Sequence, residues 1–401
     1  MLLVTQLLTL LQALGVVGAW LFTIHRMQTP GKPSLSAQQD QDLATAALAL
    51  KLAQAIDAAG GWLPFDRFMA IALYEPGLGY YARSRKLFGT LPEDGSDFIT
   101  APELSPLFGR ALAVQVAQAL DAAGSGQVLE FGAGSGALAL ALLQALGSRV
   151  QRYRIVEVSA ALRARQAQRL AGWAGRVEWL DTWPDAIEGV VLGNEVLDAM
   201  PVQLLHWDGQ QWQERGVQMA AVGSWAWADR PTLLRPPVEA GFLPGTVTEI
   251  HPQGEAFMRS LAQRLVRGAA FFFDYGFPEA EYYHPQRTGG TLMCHRAHRA
   301  DDNPLLDVGE KDITAHVNFS GLALAAQDAG LQVLGYTSQA RFLLNCGLPA
   351  LLQGADVRTV ANAQKLMTEH EMGELFKVLA VARGIELHAL GFAVGDRRHM
   401  L

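Results

Sequence analysis

Cysteine is nearly missing from this chain of 401 residues, which has only Cys294 and Cys346. Two thiols cannot build a disulfide framework, which excludes a stapled secreted scaffold and suits a reducing compartment. A basic excess is missing as well. With 32 Lys and Arg against 39 Asp and Glu, the net charge is −7. The chain therefore lacks the cations with which a general nucleic-acid binder replaces phosphate counterions. A basic or arginine-bearing partner protein stays compatible with that balance. No internal repeat occurs at solenoid or propeller periods. Apolar residues are abundant, at 50% of the chain, enough for a large core in one elaborated domain or two.

Charge is absent from Leu2 to Ile24. This run is long enough to span a bilayer, with His25 and Arg26 following on what would be the cytoplasmic side. No basic residue precedes it and no small-residue cleavage site stands out after it, which argues against a secretory signal. Three readings remain. The run is an inner-membrane anchor with the enzyme domain in the cytoplasm, or an interfacial helix with Gln6, Thr9 and Gln12 at a spacing of three, or lies upstream of a true start at Met27 in a bacterial cytoplasmic protein. Membrane contact is expected only through residues 2–24. Residues 28–42 are rich in Pro, Gly, Ser and Gln and read as a linker. Leu43 to Ala59 then reads as a helix stopped by Gly60-Gly61.

The segment 127–136, Gln-Val-Leu-Glu-Phe-Gly-Ala-Gly-Ser-Gly, carries the most information. An apolar strand ends near a carboxylate, and glycines follow at Gly132, Gly134 and Gly136. Such spacing turns a strand tightly into a helix and brings backbone N–H groups close to a nucleotide-like ligand. With Ala137 in the last place, the segment also fits the dinucleotide fingerprint G-x-G-x-x-G/A. The glycines alone leave an NAD-dependent oxidoreductase and a methyltransferase both open. Glu130 discriminates. A carboxylate two residues before the first glycine repels a pyrophosphate, whereas S-adenosylmethionine has no phosphate and carries an ammonium and a sulfonium. The blander reading is a solvated strand-end acid. Glu157, in the next expected strand Tyr153–Val158, stands about 20 residues downstream, the usual interval for an acid on a ribose hydroxyl, and serves both cofactors. Asp181, after Val177–Leu180, suits a polar contact to an adenine edge. Three acids at three successive strand ends favour a cationic cofactor.

Other segments offer site candidates beside plainer roles. Tyr80 and Tyr81, flanked by glycines, either wall a substrate cleft or pack near a turn. Thr100 and Glu103 either reach the cofactor from above or cap the helix that follows. Glu249 and His251 either orient a substrate and accept a proton, or pair at the surface before a helix expected over 255–266. Ala269–Gly276 reads as a strand whose Asp274 and Tyr275 edge the same cleft as Glu130 and Glu195. Cys294, His295, His298 and His316 invite a zinc hypothesis. Adjacent Cys and His residues with no second Cys-x-x-Cys arm fit zinc spacing poorly, and no metal is expected.

Four segments together carry a resemblance. Gly77-Leu78-Gly79-Tyr80-Tyr81, Asp97-Phe98-Ile99-Thr100-Ala101-Pro102-Glu103, Leu129 to Gly136 and Gly193-Asn194-Glu195-Val196-Leu197-Asp198-Ala199-Met200-Pro201 resemble the MidA-like family of class I S-adenosylmethionine-dependent methyltransferases. The match runs in order from about residue 45 to the C-terminus. The glycine loop is shared by every class I methyltransferase; Asn-Glu-x-Leu-Asp-Ala-x-Pro with Asp-Phe-x-Thr-x-Pro-Glu is specific. Mitochondrial members dimethylate an arginine of a respiratory complex I subunit symmetrically. The resemblance therefore implies S-adenosyl-L-methionine as cofactor, an arginine-bearing protein substrate such as a respiratory complex subunit, and a lid carrying His295, Asp312, Thr314 and His316. Relatives are expected to have Asp where this chain has Asn318.

Read from the residues, Asn194 and Glu195 end the strand Val190–Gly193, where open α/β sheets place ligands. Methyl transfer needs the nucleophile held in line with the sulfonium methyl. For a guanidinium, Glu195 and Asp198, three apart, supply paired carboxylates that bind it and localise charge away from the attacking nitrogen. The expected architecture is α/β: a seven-stranded Rossmann-like class I methyltransferase sheet over residues 126–401, closed by 331–336 and 376–382 as an antiparallel pair. A linker and helical layer over 27–125 precede it, and insertions at about 202–245 and 284–320 build the cleft, the first containing a hairpin around Asp208-Gly209. The cofactor set is Thr100, Glu130, Gly132, Gly134, Gly136, Glu157 and Asp181. The catalytic set is Asn194, Glu195 and Asp198, and the cleft set is Tyr81, Glu249, His251, Asp274, His295 and His316. Beside protein-arginine methylation, a small-molecule or other protein N/O-methyltransferase, a non-catalytic assembly factor and an NAD-dependent oxidoreductase are the alternatives.

Overall fold

The structure is a computed structural model that describes residues 35–83, 99–220, 224–239 and 241–401. The apolar run 2–24, Met27 and the Asp97-Phe98 part of the family motif lie outside the described residues. Sixteen strands occur in chain order among the described residues: β1 (Leu63–Pro64), β2 (Gln127–Phe131), β3 (Arg152–Val156), β4 (Val177–Leu180), β5 (Ile187–Asn194), β6 (Gln203–Trp207), β7 (Trp212–Met219), β8 (Trp225–Pro231), β9 (Val247–Ile250), β10 (Leu265–Phe277), β11 (Met293–Arg296), β12 (Arg299–Asp301), β13 (Asp312–Thr314), β14 (Val317–Asn318), β15 (Gln332–Ser338) and β16 (Phe376–Arg383).

The central sheet runs β15-β16-β10-β5-β2-β3-β4, the expected seven strands, and short β14 adds an eighth beside the end of β10. All pairings are parallel except those of β16, which is antiparallel to β10 and β15. Sequence order along the sheet reverses between β2 and β5. That reversal opens a crevice at the carboxyl ends of the two strands, and crossover connections leave it free for a ligand.

Both faces of this sheet are covered, so its strands are apolar without polar alternation. On β10, Ala269, Phe271 and Phe273 pack with the helices Pro106–Ala123 and Ala137–Leu146, while Ala270 and Phe272 pack with Pro252–Arg264 and Phe319–Asp328. The same two-residue alternation divides Val190 and Leu192 from Val191 on β5. Each fully buried phenylalanine contributes about 1.5–3 kcal/mol by leaving water.

A second sheet, β1-β7-β6-β9 with β8 on β7, carries the N-terminal helices Leu35–Ala58 and Phe65–Tyr74. Its core joins Leu48, Leu52, Phe68 and Leu73 to Leu204 and Val217, and to Cys294 and Ile313 of the small sheet β12-β11-β13. The hairpin around Asp208-Gly209 is β6-β7, antiparallel, and Asp208 caps the turn by accepting from Gln210 and Gln211 at 2.8 Å each. The helical layer is therefore floored by an antiparallel sheet that sequence pattern revealed only at this hairpin.

Two expected boundaries move. The first helix begins at Leu35, so 35–42 is helical where a linker is expected, and 28–34 lie outside the described residues. Pro33 is the last proline or glycine before Gly60, so no breaker interrupts 35–42, and Gln39 and Asp40 are exposed. The helix expected over 255–266 spans Pro252–Arg264, because Pro252 fits a first turn and Leu265 already pairs with Ile187. No helix among the described residues is long and apolar enough to cross a membrane.

Candidate active site

At the β2–β5 reversal lies a cavity of about 550 Å³. Its floor is the glycine turn. Gly132, Gly134 and Gly136 take φ of 59°, 52° and 82°, left-handed values that a side chain would strain. Gly136 caps the helix Ala137–Leu146 without any side-chain acceptor, so the first N–H groups of that helix stay free for a ligand.

Two buried acids flank the turn. Glu130, 2% exposed, accepts a 2.7 Å hydrogen bond from the Tyr153 hydroxyl. Burial pushes its carboxyl up to about 7, the Tyr153 bond works against that rise, and nearby Glu157 adds to it. Glu157 accepts from the Ser159 N–H at 2.9 Å and from Gln166 Nε2 at 3.2 Å, and burial raises it too. Gln166 is fully buried, and its Nε2 also donates to the Gly134 carbonyl at 2.9 Å while its Oε1 accepts from Trp179 Nε1 at 2.8 Å. One amide thus joins the turn to the next strand end. Arg169 bonds both Ser135 and Glu103, the latter at 2.8 Å, and clamps the turn beneath the short helix Ala101–Leu104.

The opposite side is built after β5. Glu195 has φ 53°, unusual for a residue with a side chain, and its N–H donates to the Phe273 carbonyl at 2.8 Å. Asn194 Nδ2 donates to Glu195 Oε1 at 2.9 Å. Burial first, then Asp198, pushes Glu195 up to about 8, with Asn194 opposing. Asp198 is raised to about 6 by burial, against a hydrogen bond from the Tyr275 hydroxyl. The Tyr81 hydroxyl donates to both Asp312 oxygens, at 2.8 and 2.9 Å, and Tyr81 stacks on Tyr74 at 5.6 Å. His316 lies parallel to Phe277 at 5.2 Å and edge-on to Tyr275 at 5.0 Å, and burial holds its imidazole down to about 4.

Among the described residues lining the cavity there are six carboxylates, Glu103, Glu130, Glu157, Glu195, Asp198 and Asp312, and no Lys or Arg. Asn194 Oδ1, Asp198 Oδ1 and His316 Nδ1 are buried and find no hydrogen-bond partner among the described residues. Such a chamber favours a cation with several N–H donors.

Of the residues singled out from sequence, Thr100, Glu130, Gly132, Gly134, Glu157, Asn194, Glu195, Asp198, Tyr81, His295 and His316 all line this cavity. Thr100 stands at a helix start but makes no side-chain capping bond. Tyr80 is packing, fully buried, whereas Tyr81 is wall. Five residues of the expected cofactor, catalytic and cleft sets do not reach the lining. Gly136 sits behind the turn, near Gln166. Asp181 is 88% exposed and pairs with Arg163 at 2.7 Å, an outcome that strand-end position alone cannot foresee. Asp274 lies beneath the 195–198 turn, and its Oδ2 accepts the N–H groups of Val196, Leu197 and Asp198 at 3.1, 2.8 and 3.3 Å. Glu249 and His251 are buried behind the wall, both bonded to the Tyr282 hydroxyl at 2.9 Å. Sequence reasoning missed Tyr74, Phe376 and Gln166; nothing in the pattern around Gln166 marked it.

Comparisons agree with this geometry. The sequence model of a family described as S-adenosyl-L-methionine-dependent methyltransferases matches residues 111–337. A crystal structure from Burkholderia thailandensis bound to S-adenosyl-homocysteine is 48% identical with a TM-score of 0.85, covering 93% of this chain and 100% of that one. A native crystal structure from the same organism gives 47%, 0.82, 93% and 100%. The protein arginine methyltransferase NDUFAF7 of Danio rerio is 27% identical over 368 residues, covering 80% of this chain and 84% of that protein. Its homolog in Drosophila melanogaster is 29% identical over 379 residues, with 81% and 82% covered. The dinucleotide reading of the glycine turn falls away, since a buried Glu130 beside that turn and the family match agree on a cationic ligand: the chain belongs to the S-adenosyl-L-methionine-dependent methyltransferase family.

Proposed function

We propose that this enzyme transfers the methyl group of S-adenosyl-L-methionine to an arginine ω-nitrogen of a partner protein. The observation that carries the reading is the six-carboxylate lining without Lys or Arg. Two cations meet in methyl transfer to arginine, the sulfonium and the guanidinium, and water exclusion makes each repel the other unless anions lie between and around them. The relatives named protein arginine methyltransferases support the same acceptor.

In this reading the cofactor lies over the glycine turn. Glu157 takes the ribose hydroxyls, and Glu130 and Thr100 face the amino-acid end. The guanidinium enters between Glu195, Asp198 and Asp312, with Tyr74 and Tyr81 as an aromatic wall. The unpartnered oxygens of Asn194 and Asp198 are spare acceptors, which supports this reading. The ω-nitrogen lone pair attacks the methyl carbon, the carbon–sulfur bond breaks, and S-adenosylhomocysteine leaves. The proton lost by the guanidinium passes to an ionised carboxylate of the set. Two unpaired cysteines fit catalysis in the cytoplasm.

The test uses the purified full chain, S-adenosyl-L-methionine and capped Gly-Arg-Gly and Gly-Lys-Gly peptides, with products read by mass spectrometry. Methyl addition to the arginine peptide alone is expected. Binding of S-adenosylhomocysteine by calorimetry without any arginine product would sink the acceptor assignment and leave the cofactor assignment standing.

A further inference from the structure

We propose that Glu249 is a positioning residue for the acceptor side of the cavity, acting through the backbone of residues 291–292 and the hydroxyl of Thr291. The proposal rests on the acceptor reading given above. Glu249 lies on β9, in the second sheet, fully buried and outside the cavity lining. Its hydrogen bonds come from neutral groups. Oε1 accepts the N–H groups of Thr291 at 2.8 Å and Leu292 at 3.1 Å, and Oε2 accepts the Tyr282 hydroxyl at 2.9 Å. Gly290 is pressed against it: a Cβ there would stand 2.4 Å from Oε1.

The network continues toward the cavity. Tyr282 Oη also meets Thr291 Oγ1 at 3.0 Å and His251 Nε2 at 2.9 Å. Thr291 Oγ1 accepts the N–H of His316 at 3.0 Å. Burial keeps His251 neutral, down to about 4, and because Tyr282 gives its one proton to Glu249, the Nε2 of His251 is the donor to Tyr282. With that orientation every hydrogen bond in the chain points toward the Glu249 carboxylate. One acid thereby fixes two stretches of wall: the segment entering β11, which delivers Met293 and His295 to the cavity, and His316 across from it. A buried carboxylate is costly unless donors meet it. Here its donors are the backbone of the very segment that must be held, so wall and anchor stabilise each other.

The decisive comparison is Glu249→Ala against Glu249→Gln, in the full chain. Glutamine keeps an oxygen for the two N–H groups and turns its amide toward a tyrosine hydroxyl that can reverse its proton; alanine strands both N–H groups. Glu249→Ala is expected to speed amide hydrogen exchange at Thr291, Leu292 and His316 and to lower kcat/KM for capped Gly-Arg-Gly by roughly 10- to 100-fold. S-adenosylhomocysteine affinity should stay within about twofold, and Glu249→Gln should remain close to the parent on every measure. Unchanged exchange in Glu249→Ala, or cofactor affinity falling as far as peptide turnover, overturns the proposal. If Glu249→Ala does not fold, Tyr282→Phe, which keeps the ring and removes the bridging hydroxyl, should speed exchange at His316 and lower kcat/KM with cofactor affinity held, and unchanged exchange at His316 or an equal loss of cofactor affinity overturns the proposal. A parent enzyme inactive on the arginine peptide would refute the acceptor reading, while the exchange measurement still decides the role of Glu249.

Discussion

Tyr153 donates its hydroxyl proton to Glu130 at 2.7 Å, and the pair is buried beneath the glycine turn on adjacent strands β2 and β3. The tyrosine stabilises the ionised carboxylate, yet burial wins and leaves Glu130 titrating at about 7. A cationic ligand brought beside it restores the charge that burial removed.

Ligand binding is therefore expected to release protons. S-adenosyl-L-methionine favours ionised Glu130, so its Kd should fall as pH rises from about 6 to about 8. Calorimetry in buffers of different ionisation enthalpy measures both affinity and proton release, and a Kd flat across this range with no proton release would contradict the assignment of Glu130 to the cofactor.

The ligand-free protein should respond to pH in the opposite sense. Glu130 and Glu195 move from an ordinary 4.5 up to about 7 and about 8 on folding. Between those limits the folded chain holds more protons than the unfolded chain, so stability falls as pH rises and the whole penalty is in place above about 8. Buried neutral His251 and His316 act in the opposite sense below about pH 6.5, so thermal unfolding should show a Tm that declines from about pH 6.5 to about pH 8, less steeply in Glu195→Gln.

Glu195→Gln should lower kcat by on the order of 10²–10³ while S-adenosylhomocysteine affinity changes less than about twofold. The substitution keeps the shape and the Asn194 bond but removes the charge facing the acceptor. Near-parental turnover in single-turnover kinetics would exclude Glu195 from the reaction.

Gln166→Ala removes the amide that joins the Gly134 carbonyl to Glu157. Cofactor Kd should weaken by roughly 10-fold, a loss of the size expected when supporting hydrogen bonds to a ligand-binding group are removed. Unaltered affinity in a calorimetric titration would show that the glycine turn holds its shape alone.

Asp274→Ala leaves the N–H groups of Val196, Leu197 and Asp198 without their acceptor. A loss of about 2–4 kcal/mol in urea unfolding is expected, together with reduced methyl transfer, because the same turn carries Glu195 and Asp198. Asp274→Asn, which keeps one oxygen, should fall between the parent and the alanine variant.

The central sheet was legible in the sequence because its signals are local. Strands buried on both faces are short apolar runs, and each helix or turn signal lies within a few residues of the strand it follows. The second sheet was not, apart from the β6-β7 hairpin. Its strand β1 is two residues long and pairs with Val217 and Gly216, more than 150 residues away, and no local pattern reports such a partner. Asp181 and Glu157 look alike in sequence, each an acid after a parallel strand. Arg163 draws Asp181 into solvent, whereas Gln166 and the Ser159 N–H hold Glu157 inside.

What the sequence alone determined is the glycine turn and the acid beside it: glycines at alternate positions dictate the backbone path, and Glu130 follows from residue order. What tertiary structure decided is which acids line the cavity and which brace those that do. Glu195 and Asp198 face the cavity while Asp274 and Glu249 turn to backbone N–H groups behind it. That division depends on burial and on donors brought from distant strands, quantities that exist only once the chain has packed.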